Sequence, residues 1–314
     1  MSTISLYTAV EAGSLQMINE AAANGADVNL CTYEQIPGLE KGIVYGNYPL
    51  HLACRMGLSS QIIERLLELG ANINFKRFNG YNALMVASEW GHRNIVELLL
   101  DRGANIHEKN DEGFNALICA SFNGHKDIVE LLLDRGADIK EKDSEGNNAL
   151  IWASYYGHRD VTELLLDQGA DIQDKNNEGC NALIEASFDN RCDIAELLLE
   201  RGININEKGN DGHTAFSLAK RCNNVNFIHI LERWPVTMWI VVLEDLWVYH
   251  QLDALSTHDL FQFIGSEIDY IDNDNNDDND DNDDNDDNDD NDDNDDNDDN
   301  DNDFEEEHYE NIED

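Results

Sequence analysis

Histidines at 92, 125 and 158 return at a constant step, and six cysteines (Cys31, Cys54, Cys119, Cys180, Cys192 and Cys222) are spread along the chain. These residue types can ligate a metal or supply a nucleophile. Their spacing argues against both. Histidines carried one per repeat would sit about a helix diameter apart, roughly 10 Å, too far to share an ion. The sequence has no C-x-x-C pair, no H-E-x-x-H, no glycine-rich phosphate loop and no nucleophile elbow. The Asp/Asn run from Asp272 to Asp303 offers oxygen ligands, but an EF-hand loop wants Gly at its sixth place and Glu at its twelfth. Counted from Asp272, those places hold Asp277 and Asp283. We therefore assign no catalytic residue, no metal site and no cofactor, and expect only weak, non-specific cation binding from that run.

The elements that carry these residues repeat. The stretch GFNALICASFNGHKDIVELLLDRGADIKEKD at 113–143 is echoed at 80–110, 146–176 and 179–209. An Asn precedes Ala-Leu at 82, 115, 148 and 181, a step of 33, and the next step lands on Thr214. A fixed period of this length implies a stacked array rather than one globular core. Each unit reads as two short helices and an extended turn. Asn115 stands where an N-cap is wanted. Ala116, Leu117 and Ala120 give a narrow apolar face, and Gly124 ends the first helix. Ile128, Val129, Leu131, Leu132 and Leu133 make the second helix too apolar to stand alone. Gly136, with Gly70, Gly103, Gly169 and Gly202 as counterparts, fits a left-handed C-terminal residue. Arg102, Arg135 and Arg201 fall in the last turn, where a cation suits the helix dipole. Ala137 to Gly146 is rich in turn formers and is expected to project as a hairpin-like loop.

These features resemble the ankyrin repeat. Tyr48-Pro49-Leu50-His51-Leu52-Ala53 is the nearest match to its T-P-L-H start. Gly91-His92, Gly124-His125 and Gly157-His158 match its G-H turn, and Gly136-Ala137-Asp138-Ile139 matches its ending. Asn regularly replaces the family's Thr, and Met85, Ile118, Ile151 and Ile184 replace its His. The Thr–His hydrogen bond is thus expected to be missing, with the Asn cap in its place. The resemblance implies an all-α ankyrin-repeat solenoid over 1–233, with about seven repeats, the first (5–30) and the last atypical. About 11 residues are inserted around Ile36-Pro37-Gly38. The seventh unit, from Asp211, keeps part of a second helix near Phe227–Leu231. Residues 234–270 read as an apolar helical C-terminal cap, or as a docking helix pair for another protein. Residues 271–314 read as a disordered acidic tail.

The formal charge is −46. Residues 272–314 carry −26 of it without a Lys or Arg, which leaves −20 for the remainder. Nucleic acid and anionic membrane surfaces are disfavoured, because both call for a basic face. A protein partner, and a basic one in particular, is favoured. Val236 to Leu243 is too short to span a bilayer. The N-terminus lacks the pattern of a secretory signal, and the scattered cysteines read as reduced thiols, so a cytoplasmic or nuclear monomer is expected.

The positions that vary while the frame stays constant are the informative ones. In the ankyrin family the two residues before the G-H turn, and the one before the first-helix Thr, line the concave binding surface. Carried onto this chain they give Glu89, Trp90, Phe122, Asn123, Tyr155, Tyr156, Phe188 and Asp189 of the first kind, and Tyr81 and Phe114 among the second. Rings at exposed positions are typical of binding hot spots. The expected function is non-enzymatic protein binding on that face. Two alternatives stay open: an acidic tail that draws in a basic, histone-like protein, or a ubiquitin-ligase substrate adaptor built on 234–265.

Overall fold

The computed structural model describes residues 5–30, 32–33 and 46–234. Within its first compact unit, short helices come in consecutive pairs. The first two units hold α1 (Leu6–Glu11) with α2 (Leu15–Ala23), and α3 (Pro49–Arg55) with α4 (Ser60–Glu68). The four close copies follow as α5 (Ala83–Glu89) with α6 (Arg93–Asp101), α7 (Ala116–Phe122) with α8 (Lys126–Asp134), α9 (Ala149–Tyr156) with α10 (Arg159–Asp167), and α11 (Ala182–Phe188) with α12 (Cys192–Glu200). The last unit pairs α13 (Ala215–Arg221) with α14 (225–234). That second helix is longer than the Phe227–Leu231 stub expected from sequence. Between the first two units, β1 (Thr32–Tyr33) pairs antiparallel with β2 (Gly46–Asn47), so the inserted segment closes on a two-residue ladder. The segment around Ile36-Pro37-Gly38, the 234–270 cap beyond Trp234 and the 271–314 tail lie outside the described residues.

Local chemistry explains each start and stop. Asn82, Asn115, Asn148 and Asn181 accept from the backbone N–H of Met85, Ile118, Ile151 and Ile184 at 2.9, 2.8, 2.9 and 3.1 Å. Thr214 forms a reciprocal capping box with Ser217. Each such cap is worth about 1 kcal/mol. The second helices end on a left-handed glycine, as at Gly136 with φ 90°.

First helices pack on first helices and second on second, unit after unit. Leu117, Leu150, Ile128, Val129, Leu132 and Leu165 are all buried in one continuous cluster that runs through the described residues. Burying one such side chain contributes about 1.5–3 kcal/mol, and much of that burial is against the neighbouring unit. No pair of seven- and nine-residue helices could supply it alone.

Polar bonds repeat with the same period. The ring Nε2 of His92, His125 and His158 meets the carbonyl oxygens of Arg55, Glu89 and Phe122 at 3.0, 2.9 and 2.8 Å. The histidines are thus cross-unit ties. The preceding unit's glycine makes room for them: a Cβ on Gly124 would lie 2.6 Å from His158 Nδ1. Where the fourth close copy has Asn190 at the glycine's place, with φ 56°, the facing residue is Asn224, not a histidine. It donates to the Ser187 and Phe188 carbonyls at 2.7 and 2.9 Å.

Lysines form a second ladder. The Nζ of Lys76, Lys109 and Lys142 donates to the carbonyls of Lys109, Lys142 and Lys175 at 2.8, 2.8 and 2.7 Å. Each also pairs with a carboxylate of the next unit: Glu108, Glu141 and Asp174. On the second-helix side, Arg102, Arg135 and Arg201 do more than face a helix dipole. They reach back one unit to Glu64, Asp101 and Asp167 at 2.6, 2.9 and 2.7 Å.

The loops are hairpins. Asn110 N donates to Phe114 O at 2.9 Å, and Asp143 N to Asn147 O at 3.0 Å. Their tips join sideways, with Ser144 N on Glu112 O and Asn177 N on Glu145 O, each at 2.9 Å.

Candidate functional site

The Asn cap sets the phase of every first helix. Positions four, seven and eight residues after it then share one helix face. The residue just before the cap leaves the hairpin beside that face. The chain therefore shows, on the hairpin side of the first helices, a row of side chains free to differ from unit to unit.

In the middle of the row the rings meet. Phe114 lies 6.0 Å from Phe122 and 5.6 Å from Trp152, centroid to centroid. Phe122 lies 5.2 Å from Trp152 and 4.2 Å from Tyr156. Tyr155 packs edge-on against Trp152 at 6.1 Å and Tyr156 at 5.0 Å. All five rings are half-buried. They lean sideways on one another and still present area to solvent. Of the ten side chains read from sequence, this cluster brings together Phe114, Phe122, Tyr155 and Tyr156.

The others stand apart. Trp90 is 52 % exposed and has no ring neighbour among the described residues. Tyr81 and Phe188 pack partly on the core. Asn123 is exposed and turns its amide onto Cys119 O at 2.9 Å. Asp189 is tied to Arg191 at 2.9 Å. Glu89 is half-buried beside Tyr81, and its Oε2 has no hydrogen-bond partner. Burial pushes its carboxyl above the usual range, against the opposing pull of Arg77. Arg77 itself lies over the Tyr81 ring, 4.8 Å from its centroid.

Sequence reading missed the position four residues after the cap. Trp152 sits there at the centre of the ring cluster, and its indole N–H donates to Asp143 Oδ2 at 2.7 Å. One unit on, Glu185 holds the same place and accepts from Asn176 Nδ2 at 2.9 Å. Asn176 also donates to Asn147 Oδ1 at 2.9 Å, which ties two units together. The available signal was a pair nine residues apart: Asp143 with Trp152, then Asn176 with Glu185, each loop residue chosen to satisfy its helix residue.

Burial drives the Glu185 carboxyl up to about 7; the Asn176 hydrogen bond opposes this, and Glu178 and Glu145 add to it. Burial, then Asp189 and Glu185, also raise the Tyr155 phenol. Cys54 and Cys119 are pushed well up by burial, and Cys180 to about 12. Such thiols are poor nucleophiles. Among the described residues, no group of three or more His, Cys, Asp or Glu could hold a metal. Among them too, no helix is long and apolar enough to cross a membrane.

A family model described as ankyrin repeats (3 copies) matches residues 6–110 and 103–176. A second, described as ankyrin repeats (many copies), matches residues 165–219. No curated protein matches the chain.

Proposed function

The chain belongs to the ankyrin-repeat family, whose members generally serve as protein–protein interaction modules, and we propose that it binds a partner protein on the hairpin side of its first helices, the concave face of the family. The observation that carries this is the half-buried ring cluster of Phe114, Phe122, Trp152, Tyr155 and Tyr156. A frame that repeats so closely needs no rings there. Large, rigid side chains with little rotamer freedom to lose are what an interface core uses. The partner is another protein, and the net charge of −46 favours a basic one. The chain acts without a cofactor and is not an enzyme.

The test replaces Trp90, Phe122 and Tyr155 together by Ala in the full chain. Capture of a partner from lysate is expected to be lost while the helical circular-dichroism signal is kept. Unchanged capture would remove the face from consideration.

A second reading has its own support. Residues 272–314 hold 26 acidic residues and no Lys or Arg, enough to draw in a basic protein at long range. Deleting 272–314 would then abolish capture, and capture by the whole chain would weaken steeply with salt.

A further inference from the structure

The row contains one place where the chain itself sets a guanidinium over a ring beside a carboxylate. Arg77 lies 4.8 Å above the Tyr81 ring centroid, close enough to Glu89 to pull its carboxyl down. The residues at the place of Arg77 in the next three units are Asn110, Asp143 and Asn176. So that place offers no cation to the Phe114, Phe122, Trp152 and Tyr155 rings or to the Glu185 carboxylate of α11. Among the described residues no Lys, Arg or His lies within ion-pair distance of Glu185. Its side-chain donors among the described residues are neutral, the Asn176 amide and the Cys180 thiol. Arg191, in the same unit, donates to Tyr155 O at 3.0 Å and pairs with Asp189 at 2.9 Å. No Lys or Arg follows Arg233 in the sequence.

We propose that the step from α9 to α11 receives an arginine side chain from a basic segment of the partner, its guanidinium laid over the Tyr155 ring, next to Trp152, and paired with Glu185. The inference rests on the binding face described above. Arginine fits better than lysine because its flat fork stacks on a ring and meets a carboxylate with two parallel bonds. Carboxylates prevail around the place: Glu145 and Glu178 from the hairpin tips, Asp143 bonded to Trp152, and Asp189 acting on Tyr155, with Cys180 and Tyr155 as neutral groups; the one cation acting on Tyr155, Arg191, is paired with Asp189. A guanidinium supplies what this half-buried carboxylate lacks. It also holds Glu185 ionised, so binding releases a proton wherever free Glu185 is protonated.

The probe is a blocked Gly-Gly-Arg-Gly-Gly peptide, with twins carrying citrulline or Lys at the centre. It is titrated into the full, nitrogen-15-labelled chain, and the Trp152 indole resonance is followed, identified by its loss in Trp152→Phe. A saturable shift is expected with Arg, and binding about tenfold weaker or worse with citrulline or in Glu185→Gln. Affinity in the natural chain is expected to fall about tenfold from pH 8 to pH 6, because only ionised Glu185 pairs, and to stay flat in Glu185→Gln. An unmoved Trp152 resonance, equal binding by citrulline, or unchanged affinity in Glu185→Gln overturns the proposal. Equal binding by Lys overturns the guanidinium assignment. If these fail while the triple Ala variant still loses its partner, the pocket alone is wrong; if that variant keeps its partner, the binding face is wrong too.

Discussion

Adding one methyl group at Gly124 and one at Gly136 tests how the units are held together. Both glycines are left-handed, at φ 74° and φ 90°, so Ala at either site carries a backbone cost of roughly 1–2 kcal/mol. They differ in what the methyl meets. At Gly136 nothing lies within 4 Å of an added Cβ. At Gly124 the Cβ would lie 2.6 Å from His158 Nδ1 and 2.8 Å from Cε1, inside any permitted contact. The ring must move away, which breaks its 2.8 Å bond to Phe122 O and adds about 0.5–1.5 kcal/mol, or more if the freed carbonyl stays dry. Gly136→Ala is thus expected to cost about 1–2 kcal/mol and Gly124→Ala about 2–4 kcal/mol. The assay is urea unfolding of the full chain followed at the helical signal, run as a double-mutant cycle with His158→Ala. In that background the clash is gone, and Gly124→Ala should fall to the Gly136→Ala value. Equal costs at the two glycines, or no rescue by His158→Ala, would refute the interlock between units.

Three further outcomes follow from the same structure. Asn115→Ala removes the oxygen that holds Ile118 N at 2.8 Å and is expected to lower stability by about 1 kcal/mol, with Asn115→Ser recovering most of it, as read from denaturation midpoints. Leu132→Ala, at a fully buried place, is expected to cost about 2–5 kcal/mol, and amide-exchange protection should fall in α6 and α10 as well as α8. Glu185 has a folded-state pKa raised from 4.5 to about 7. The unfolded chain therefore ionises first, and stability declines as pH rises from 4.5 towards 7, then levels. Glu185→Gln is expected to remove that decline and to make the chain about 1–3 kcal/mol more stable at pH 8; a natural chain with flat stability over this window contradicts it.

Much of the frame was legible because each device is local. An Asn three residues before an amide it can cap, a Gly after a leucine run, and a step of 33 carry their meaning on the line of text. The histidines were legible only in part. Their type and step ruled out a shared metal, but the role of His158, with its tie to Phe122 and its fit against Gly124, joins residues from neighbouring units. The arginines show the same limit: Arg135 reads as a helix end, yet it binds Asp101. At the face, Phe122, Tyr155 and Tyr156 stood out as rings on a constant frame. Trp152 did not, because a position four residues into an apolar helix looks like core. Its meaning appears only beside Asp143, nine residues back across a turn.

The Lys ladder has a consequence for how such a chain can change over generations. Lys109 reaches Lys142 O just as Lys142 reaches Lys175 O, each across 33 residues. A recombination event that drops 116–148 as one cassette would bring Lys109 to Lys175 O and Asp174, and His158 to the carbonyl of Glu89. The lysine and histidine ties of the seam would be re-made, while Gln168 stood where Arg135 had reached Asp101, Phe122 vanished, and Glu89 came to lie beside Trp152 and Tyr156 in its place. Copy number can therefore drift with little harm to folding, and each gain or loss deals the exposed row a new hand of side chains.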